Sequence, residues 1–199
     1  MECDGGGPAI VGLLEKQEPI GGAVVKVLVT YLSKTGNTRK VAEAIFGEIA
    51  DDKEMRPIDQ IASIEGYDIA FLGLPVHAQG PDKGEVKLLE KLCVNGRSVA
   101  LFITHASPED APELQQSLGK FRQAARGANL VDVFDCQGQL AKGIKLIMSI
   151  MPNADYRRWA KVDNSQGQPD EARLERARTF SRNVMARLHA GRPKAMAAV

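Results

Sequence analysis

Apolar residues in this chain fall into compact runs separated by segments with helical spacing. The four clear runs are residues 24–32, 67–74, 98–104 and 130–136. The middle two are almost wholly apolar, which is typical of strands covered on both faces of a parallel sheet. A weaker run at 53–58 predicts another strand, and Pro57 places that strand at a sheet edge because proline cannot donate to a β-ladder.

Between these runs, apolar residues recur on one face of a predicted helix. The faces are Val41, Ala42, Ile45 and Ile49; Val86, Leu89 and Cys93; Leu114, Leu118, Phe121 and Ala125; and, in a last helix that opens with the residues PDE, Ala177, Phe180, Val184 and Leu188. Strand and helix therefore alternate five times. This order predicts an α/β fold with a five-stranded parallel sheet, doubly wound as a three-layer sandwich.

The pattern divides the chain into three parts. Residues 1–23 contain GGGP and GG without a clear period, which predicts a flexible N-terminal extension. Residues 24–190 form the predicted domain, and 191–199 a disordered tail. Within the domain, the connection 138–168 is longer than a simple loop.

Four residues of that long connection form an apolar stripe if its first half is helical: Ile144, Ile147, Met148 and Met151. Such a stripe is usually core, and we expect it to be buried. Two other interpretations stay open for it, a lid over a ligand and a docking face for a partner.

Composition and charge exclude several classes of protein. No apolar run among the 199 residues reaches the roughly 18 needed to span a membrane. The first positive residue, Lys16, follows three acidic ones, which argues against a secretory signal and predicts a cytoplasmic protein. The cysteines Cys3, Cys93 and Cys136 lack paired spacing and are interpreted as reduced thiols.

Charge is distributed unevenly along the chain. Residues 1–136 hold 14 Lys and Arg against 20 Asp and Glu, whereas residues 137–199 hold 12 against 5. The basic part has helical spacing, acidic partners within reach and no aromatic residues placed for base stacking. It is therefore interpreted as a solvated helix face, with no nucleic-acid partner.

The specific chemistry lies in YLSKTGNT, where the first strand gives way to the first helix. The predicted phosphate ligands are Ser33, Lys34, Thr35, Gly36, Asn37 and Thr38. A helix start offers unpaired N–H groups and a positive dipole end, Gly36 permits close backbone approach, and the short polar side chains add donors. Neither GxxxxGK[ST] nor GxGxxG follows the strand, so nucleotide hydrolysis and dinucleotide binding lack support.

These residues resemble the FMN-binding fingerprint of the flavodoxins. The positions that fit are Tyr31, Ser33, Thr35, Gly36, Thr38, Ala42 and Ile45. Thr30 departs, since an apolar residue is usual there. The resemblance extends through the strand–helix order from residue 25 to about 190, and it implies FMN as the cofactor.

By this resemblance, two further loops hold the isoalloxazine ring. The residues expected to line it are Pro75, Val76, His77, Ala78 and Gly80 on one side, and Thr104, His105 and Ala106 on the other. Flavodoxins often stack the ring between a tryptophan and a tyrosine from these loops, but neither loop here contains either residue. A nearby histidine would favour the reduced anionic flavin, so we expect a less negative second reduction potential or an open flavin face.

The histidines have two other possible roles. Each could cap a strand end or satisfy a buried carbonyl, and His77, His105 and Cys136 could together bind a metal, although no local ligand spacing supports this and no metal is expected. Trp159 could fold over the ring or anchor its segment on the core. Cys93 and Cys136 are expected to be inert.

The resemblance favours an electron carrier between redox proteins, acting as a monomer or weak homodimer. An NAD(P)H-dependent FMN reductase of a quinone-like acceptor is the alternative enzyme, although no second nucleotide fingerprint is present. A third class is a flavodoxin-fold binding module that has lost its flavin, and the intact phosphate loop argues against it.

Overall fold

The computed structural model of the chain describes residues 25–191. The predicted N-terminal extension, 1–23, lies outside the described residues, and so does the predicted tail apart from its first residue, Gly191. The predicted domain accounts for the rest.

Five parallel strands form a single sheet in the order β2-β1-β3-β4-β5. Their bounds are β1 Lys26–Tyr31, β2 Asp52–Pro57, β3 Ile69–Pro75, β4 Ser98–His105 and β5 Asn129–Gln137. All five predicted strands are confirmed. Pro57 ends β2 at a sheet edge, as its missing N–H required.

Helices connect the strands and cover the sheet. Their bounds are α1 Asn37–Glu48, α2 Lys83–Leu92, α3 Pro112–Ala124, α4 Lys142–Ile150, α5 Ala154–Val162 and α6 Glu171–Ala190, and a 3₁₀ turn occupies Ile58–Gln60. The helices α2 and α3 pack on one face of the sheet, and α1 and α6 pack on the other. The predicted doubly wound three-layer sandwich is therefore confirmed.

The two cores contain the apolar faces predicted for these helices. Phe71 and Phe102 from adjacent central strands are fully buried in the core beneath α1 and α6. Gly73 lies between them in sequence, and a Cβ at that position would come within 2.1 Å of the Phe102 ring. Close packing of the sheet thus requires glycine at position 73. In a sheet of this topology, ligands bind at the loops beyond the carboxyl ends of the strands.

The long connection departs from expectation. The predicted helix forms as α4 and buries Met148, but Ile144 and Ile147 are about half exposed. Burial of the whole stripe was thus a wrong prediction. The physical reason is that α4 packs chiefly against α5 rather than on the sheet, so a single neighbouring helix covers only one side of it.

Both ends of this connection meet at one point. The Gln139 N–H donates to the Gln168 carbonyl over 3.0 Å, and the Leu140 N–H donates to Ser165 Oγ over 2.8 Å. Further out, Lys145 Nζ lies 2.9 Å from Asp163 Oδ2. The segment that contains α4 and α5 therefore leaves the end of β5 and returns to the same place, an arrangement that we call the excursion.

Candidate functional site

The loop between β1 and α1 is arranged around Gly36. Its φ of 90° places it in the left-handed region that glycine adopts without strain, and it is the N-cap of α1. Ser33 Oγ accepts a hydrogen bond from the Gly36 N–H over 3.1 Å. Lys34 and Thr35 are exposed beside it. The loop is thus a tight turn that presents the start of α1 to solvent.

The first turn of α1 has no internal partner for its donors. No side chain in residues 25–191 accepts a hydrogen bond from the N–H groups of Asn37, Thr38 or Arg39, and this turn contains no acidic residue. The helix dipole adds partial positive charge at the same place. An anion such as a phosphate fits this set of donors, and a Cβ on Gly36 would meet no atom within 4 Å, so the approach is open.

Two side chains of this loop connect it to other elements. Thr38 Oγ1 and Thr104 Oγ1 are buried and lie 2.8 Å apart, joining α1 to the end of β4. Asn37 Nδ2 donates to the Gln139 carbonyl over 2.8 Å, joining α1 to the segment after β5. The predicted phosphate residue Thr38 and the predicted ring residue Thr104 are therefore in direct contact.

The loop after β3 is a tight turn over residues 77–80. The His77 N–H donates to the Gly80 carbonyl over 2.8 Å, and the Gly80 N–H donates to the His77 carbonyl over 3.1 Å. Ala78 at the exposed tip has φ 54°, which is unusual for a residue with a Cβ. The Val76 N–H donates to the Thr104 carbonyl over 2.8 Å, so the two loops predicted to hold the ring are neighbours.

The side chain of His77 faces the start of α2. Its Nε2 lies 3.0 Å from Glu85 Oε1, close enough for an ion pair, although the alignment is not that of a hydrogen bond. Glu85 is almost fully buried, and burial raises its pKa; the hydrogen bond from the Asp82 N–H and the nearby His77 offset this only in part. Asp82 in turn accepts from the N–H groups of Glu85 and Gly84, which lower its pKa.

The loop after β4 is held by charges from α6. Glu109 contacts Arg173 over 2.9 Å and Arg176 over 2.8 Å. Burial opposes the ionisation of Glu109, but the hydrogen bond and charge of Arg176 outweigh it and lower its pKa. Gln137 Nε2 donates to the Ala106 carbonyl over 3.2 Å. This loop is therefore fixed from the side of α6 and β5.

His105 has a different environment from His77. Its side chain is fully buried, Nδ1 lies 2.9 Å from the Ser107 carbonyl oxygen, and Nε2 lies 3.2 Å from Asp135 Oδ2. These contacts match the interpretation in which a histidine satisfies a buried carbonyl at a strand end. The aromatic side chain expected near the ring is thus turned toward β5.

The metal alternative does not form. Among the described residues, the group close enough to share an ion is His77, Asp82 and Glu85, which includes neither His105 nor Cys136. Both carboxylates of that group already cap α2. Burial raises the pKa of Cys136 to about 12 and that of Cys93 to about 11, in agreement with inert thiols.

Several residues around the loops were missed by the sequence reasoning. Asp82 and Glu85 have the D-x-x-E spacing of a capping box, which could have been found. Glu109 and its arginine partners are 64 and 67 positions apart, and no local pattern indicates such pairs. The predicted ring residues themselves come from two loops that contact each other, and the phosphate loop touches them through Thr38.

None of the helices described in residues 25–191 has the length and hydropathy required to cross a bilayer. A family model described as a flavodoxin domain matches residues 28–182. Among curated proteins, the flavodoxin-like domain-containing protein BilS of Clostridioides difficile is 30% identical over 172 residues, covering 81% of this chain and 97% of that protein. Flavodoxin 1 of Salmonella typhimurium is 28% identical over 171 residues, covering 79% and 91%.

Solved structures with the same fold include two flavodoxins. The flavodoxin of Streptococcus pneumonia TIGR4 superposes with a TM-score of 0.54 at 16% identity, covering 82% of this chain and 99% of that one. Oxidised flavodoxin 2 from Bacillus cereus gives a TM-score of 0.53 at 19% identity with the same coverage. At these identities the likeness concerns the fold.

Proposed function

This chain belongs to the flavodoxin domain family, whose model matches residues 28–182, and on that premise we propose that it binds FMN noncovalently and carries electrons between redox proteins. The observation that carries the proposal is the uncapped first turn of α1, which is linked through Thr38 to Thr104 at the end of β4. A phosphate site and a neighbouring ring site at one sheet edge suit a phosphorylated ring cofactor.

The phosphate is assigned to the loop before α1. Backbone N–H groups of the first helical turn would donate to its oxygens, with Ser33, Thr35 and Thr38 as neighbouring hydroxyl donors and Asn37 fixing the loop against Gln139. Lys34 is exposed and adds long-range attraction for an anion. This arrangement neutralises the phosphate with dipoles rather than with a bound cation.

The ring is assigned to the loops after β3 and β4. Pro75, Val76, His77, Ala78 and Gly80 would line one side, and Thr104, Ala106 and the backbone of His105 the other. Bound flavin supplies one- and two-electron transfer, which no side chain of the chain provides. The chain's own contribution is to orient the ring, to control water access and to set nearby charge.

One observation supports a reductase as second candidate. Neither ring loop carries a tryptophan or tyrosine, so nothing in the loop sequences is placed to cover the flavin face. An open face would admit NAD(P)H and then a quinone-like acceptor. The carrier is favoured because the chain contains no second nucleotide fingerprint.

The first test is the visible spectrum of the full chain after incubation with FMN and desalting. Retained absorption bands of bound flavin support the cofactor assignment, and a colourless protein contradicts it. NADPH is then added without oxygen. Bleaching by NADPH alone favours the reductase, whereas persistence of the bands favours a carrier that needs a protein donor.

A pair of threonine variants tests the phosphate assignment. Thr38→Val and Thr104→Val each break the same buried hydroxyl contact, so each should cost about 1–3 kcal/mol of unfolding free energy. Only Thr38 is assigned to the phosphate, so Thr38→Val should weaken FMN binding about tenfold more than Thr104→Val, a difference of about 1.4 kcal/mol. An FMN dissociation constant that Thr38→Val leaves unchanged would refute its role.

Thr30→Val provides the matched control. Thr30 is fully buried, and its hydroxyl has no hydrogen-bond partner among the described residues. Replacing it by an isosteric apolar residue removes a desolvated group, so stability should be unchanged or increased by about 1 kcal/mol. FMN affinity should equal that of the wild type.

A further inference from the structure

Exposed hydrophobic side chains are concentrated on α4 and α5. Of the seven large hydrophobic side chains exposed in residues 25–191, six lie on these two helices. Four of them form what we call the α4 face: Ile144, Leu146, Ile147 and Ile150, exposed by 49%, 66%, 52% and 74%. One short helix therefore presents a contiguous apolar surface to water.

No residue of the described range 25–191 covers this surface. Met148 is the buried residue of α4 and makes its inward contact, while Leu146 and Ile150 lie on the opposite side of the helix. Burial of such side chains is favourable, and the described residues leave them in water. Concentrated exposed apolar surface of this kind marks an interaction site.

Positive charge predominates in the segment that carries the α4 face. Residues 138–168 contain five Lys and Arg against two Asp. Lys145 is paired with Asp163, and Arg157 donates to the carbonyls of Met151 and Pro152. Three others are exposed: Lys142, Arg158 and Lys161. The two helices that carry the exposed apolar residues are therefore also basic.

The surface also has a fixed position relative to the candidate flavin site. The segment that carries α4 leaves β5 at Gly138 and Gln139, and the Gln139 carbonyl accepts the hydrogen bond from Asn37 in the phosphate loop. An electron carrier must dock its partner near this sheet edge, since electron transfer requires close approach to the flavin.

Resting on the proposed function, we infer that the α4 face docks a redox protein whose own surface is an apolar patch with an acidic margin. The apolar residues supply the buried centre of the interface, and Lys142, Arg158 and Lys161 steer the acidic partner and fix its register. A second copy of this chain fits less well, because a two-fold interface would bring like charges of these helices together.

An acidic [2Fe–2S] ferredoxin serves as the probe partner, and a basic cytochrome c as its counterpart. The rate of electron transfer from reduced ferredoxin to the FMN-loaded full chain is measured by stopped flow at low and high salt. Ferredoxin affinity for the flavin-free chain is measured by calorimetry, so docking is read independently of FMN. If the chain holds no FMN, the proposed function is refuted. The calorimetric titration still shows whether ferredoxin binds the α4 face.

Two variants alter the α4 face. The triple variant Lys142→Glu, Arg158→Glu, Lys161→Glu should lower the ferredoxin rate and affinity at least about tenfold at low salt and reverse the salt dependence. The double variant Ile147→Ser, Ile150→Ser should lower affinity about tenfold at all salt concentrations. Both change exposed residues, so the fold is retained.

Matched controls lie near the amino ends of β4 and β5, away from the carboxyl ends where the candidate site lies. Lys91→Glu, Arg122→Glu, Arg126→Glu makes the same charge change at exposed positions near the ends of α2 and α3, and Val94→Ser removes an exposed apolar side chain there. These variants should change the ferredoxin rate less than about twofold, because salt screens distant charges.

Four results would overturn the inference. One is an equal loss in the control and α4 variants, and another is a faster reaction with cytochrome c that depends on the α4 face. The third is binding to anionic phospholipid vesicles that Ile147→Ser, Ile150→Ser abolishes, which would assign the surface to a membrane. The fourth is a dimer in sedimentation that the same variant disperses.

Discussion

Two helices, α1 and α2, start at the carboxyl ends of the strands and differ in whether a side chain caps their first turn. α1 begins after Gly36 with no side-chain cap and no acidic residue, whereas α2 begins after Asp82, whose carboxylate accepts from two backbone N–H groups. Glu85 completes the capping box by accepting from the Asp82 N–H. The donors of α2 are therefore satisfied by the fold, and those of α1 are left for a ligand.

This difference shows that a few residues at a helix start decide whether its N–H groups are capped by the chain or are open to a bound anion. A capping side chain contributes about 1 kcal/mol to a helix, and α1 forgoes it. An anion bound at α1 would restore the missing hydrogen bonds only when it is present. FMN should thus stabilise this chain against unfolding, by an amount that rises with the logarithm of the FMN concentration relative to its dissociation constant.

The largest effect is expected from adding a carboxylate at the N-cap of α1, the position that Asp82 holds in α2. Gly36→Asp places a carboxylate where the phosphate is assigned, and like charges 4 Å apart repel by about 4 kcal/mol at an effective dielectric of 20. Allowing for screening by salt, FMN affinity should fall at least about 100-fold. Fluorescence titration of FMN measures this.

Gly36→Asn is the control for that change. Asparagine tolerates the positive φ of Gly36 about as well as aspartate does and has nearly the same shape, but it carries no charge. Its affinity for FMN should lie clearly above that of Gly36→Asp. If the two variants bind FMN equally weakly, the backbone conformation rather than the phosphate charge explains the loss.

The converse change makes α2 resemble α1. Asp82→Ala removes two hydrogen bonds from the first turn of α2 and should cost about 1 kcal/mol in urea unfolding. Because the pKa of Asp82 is lowered in the folded protein, its contribution is present above the ordinary pKa of 3.8 and is lost as pH falls. The cost should therefore shrink below that pH, and a cost independent of pH would contradict the capping role.

Glu85 offers the smallest and most specific test, because its pKa is shifted in the other direction. A carboxyl whose pKa is raised by burial stabilises the fold below its ordinary value of 4.5 and loses that contribution as pH rises through the raised pKa. Glu85→Gln does not ionise, so the stability of the wild type relative to this variant should decrease with rising pH.

Glu113→Gln is the reference for Glu85→Gln, since Glu113 occupies the first turn of α3 and is exposed. It removes one carboxylate from another helix start and so controls for the loss of a charge. A Glu85→Gln difference that stays constant between about pH 4 and pH 8 would show that the buried carboxylate is not the cause.

Periodicity was sufficient for most of the fold. Strands that are buried on both faces, such as β3 and β4, have an unmistakable composition, and Pro57 located an edge. The tight turn before α1 was predictable because its residues are adjacent in sequence, and its phosphate role stays a prediction. Contacts between distant residues were not predictable: the bond between Thr38 and Thr104 joins positions 66 apart, and no local pattern encodes it.

The apolar stripe of α4 shows what the periodicity of apolar residues does not predict. Helical spacing of Ile144 and Ile147 identified a helix correctly, but an apolar face does not state what covers it. His77 and His105 show the same limit. His77 follows β3 and His105 is the last residue of β4, yet one pairs with Glu85 and the other with Asp135, because the partners come from different elements.

The hydrogen bond from Gln139 to Gln168 closes the base of the excursion that carries α4 and α5. Because its two ends are joined at this point, the segment with α4 and α5 can be exchanged for another without moving the strands or the loop before α1. A different helix inserted there would give the same sheet a new recognition surface.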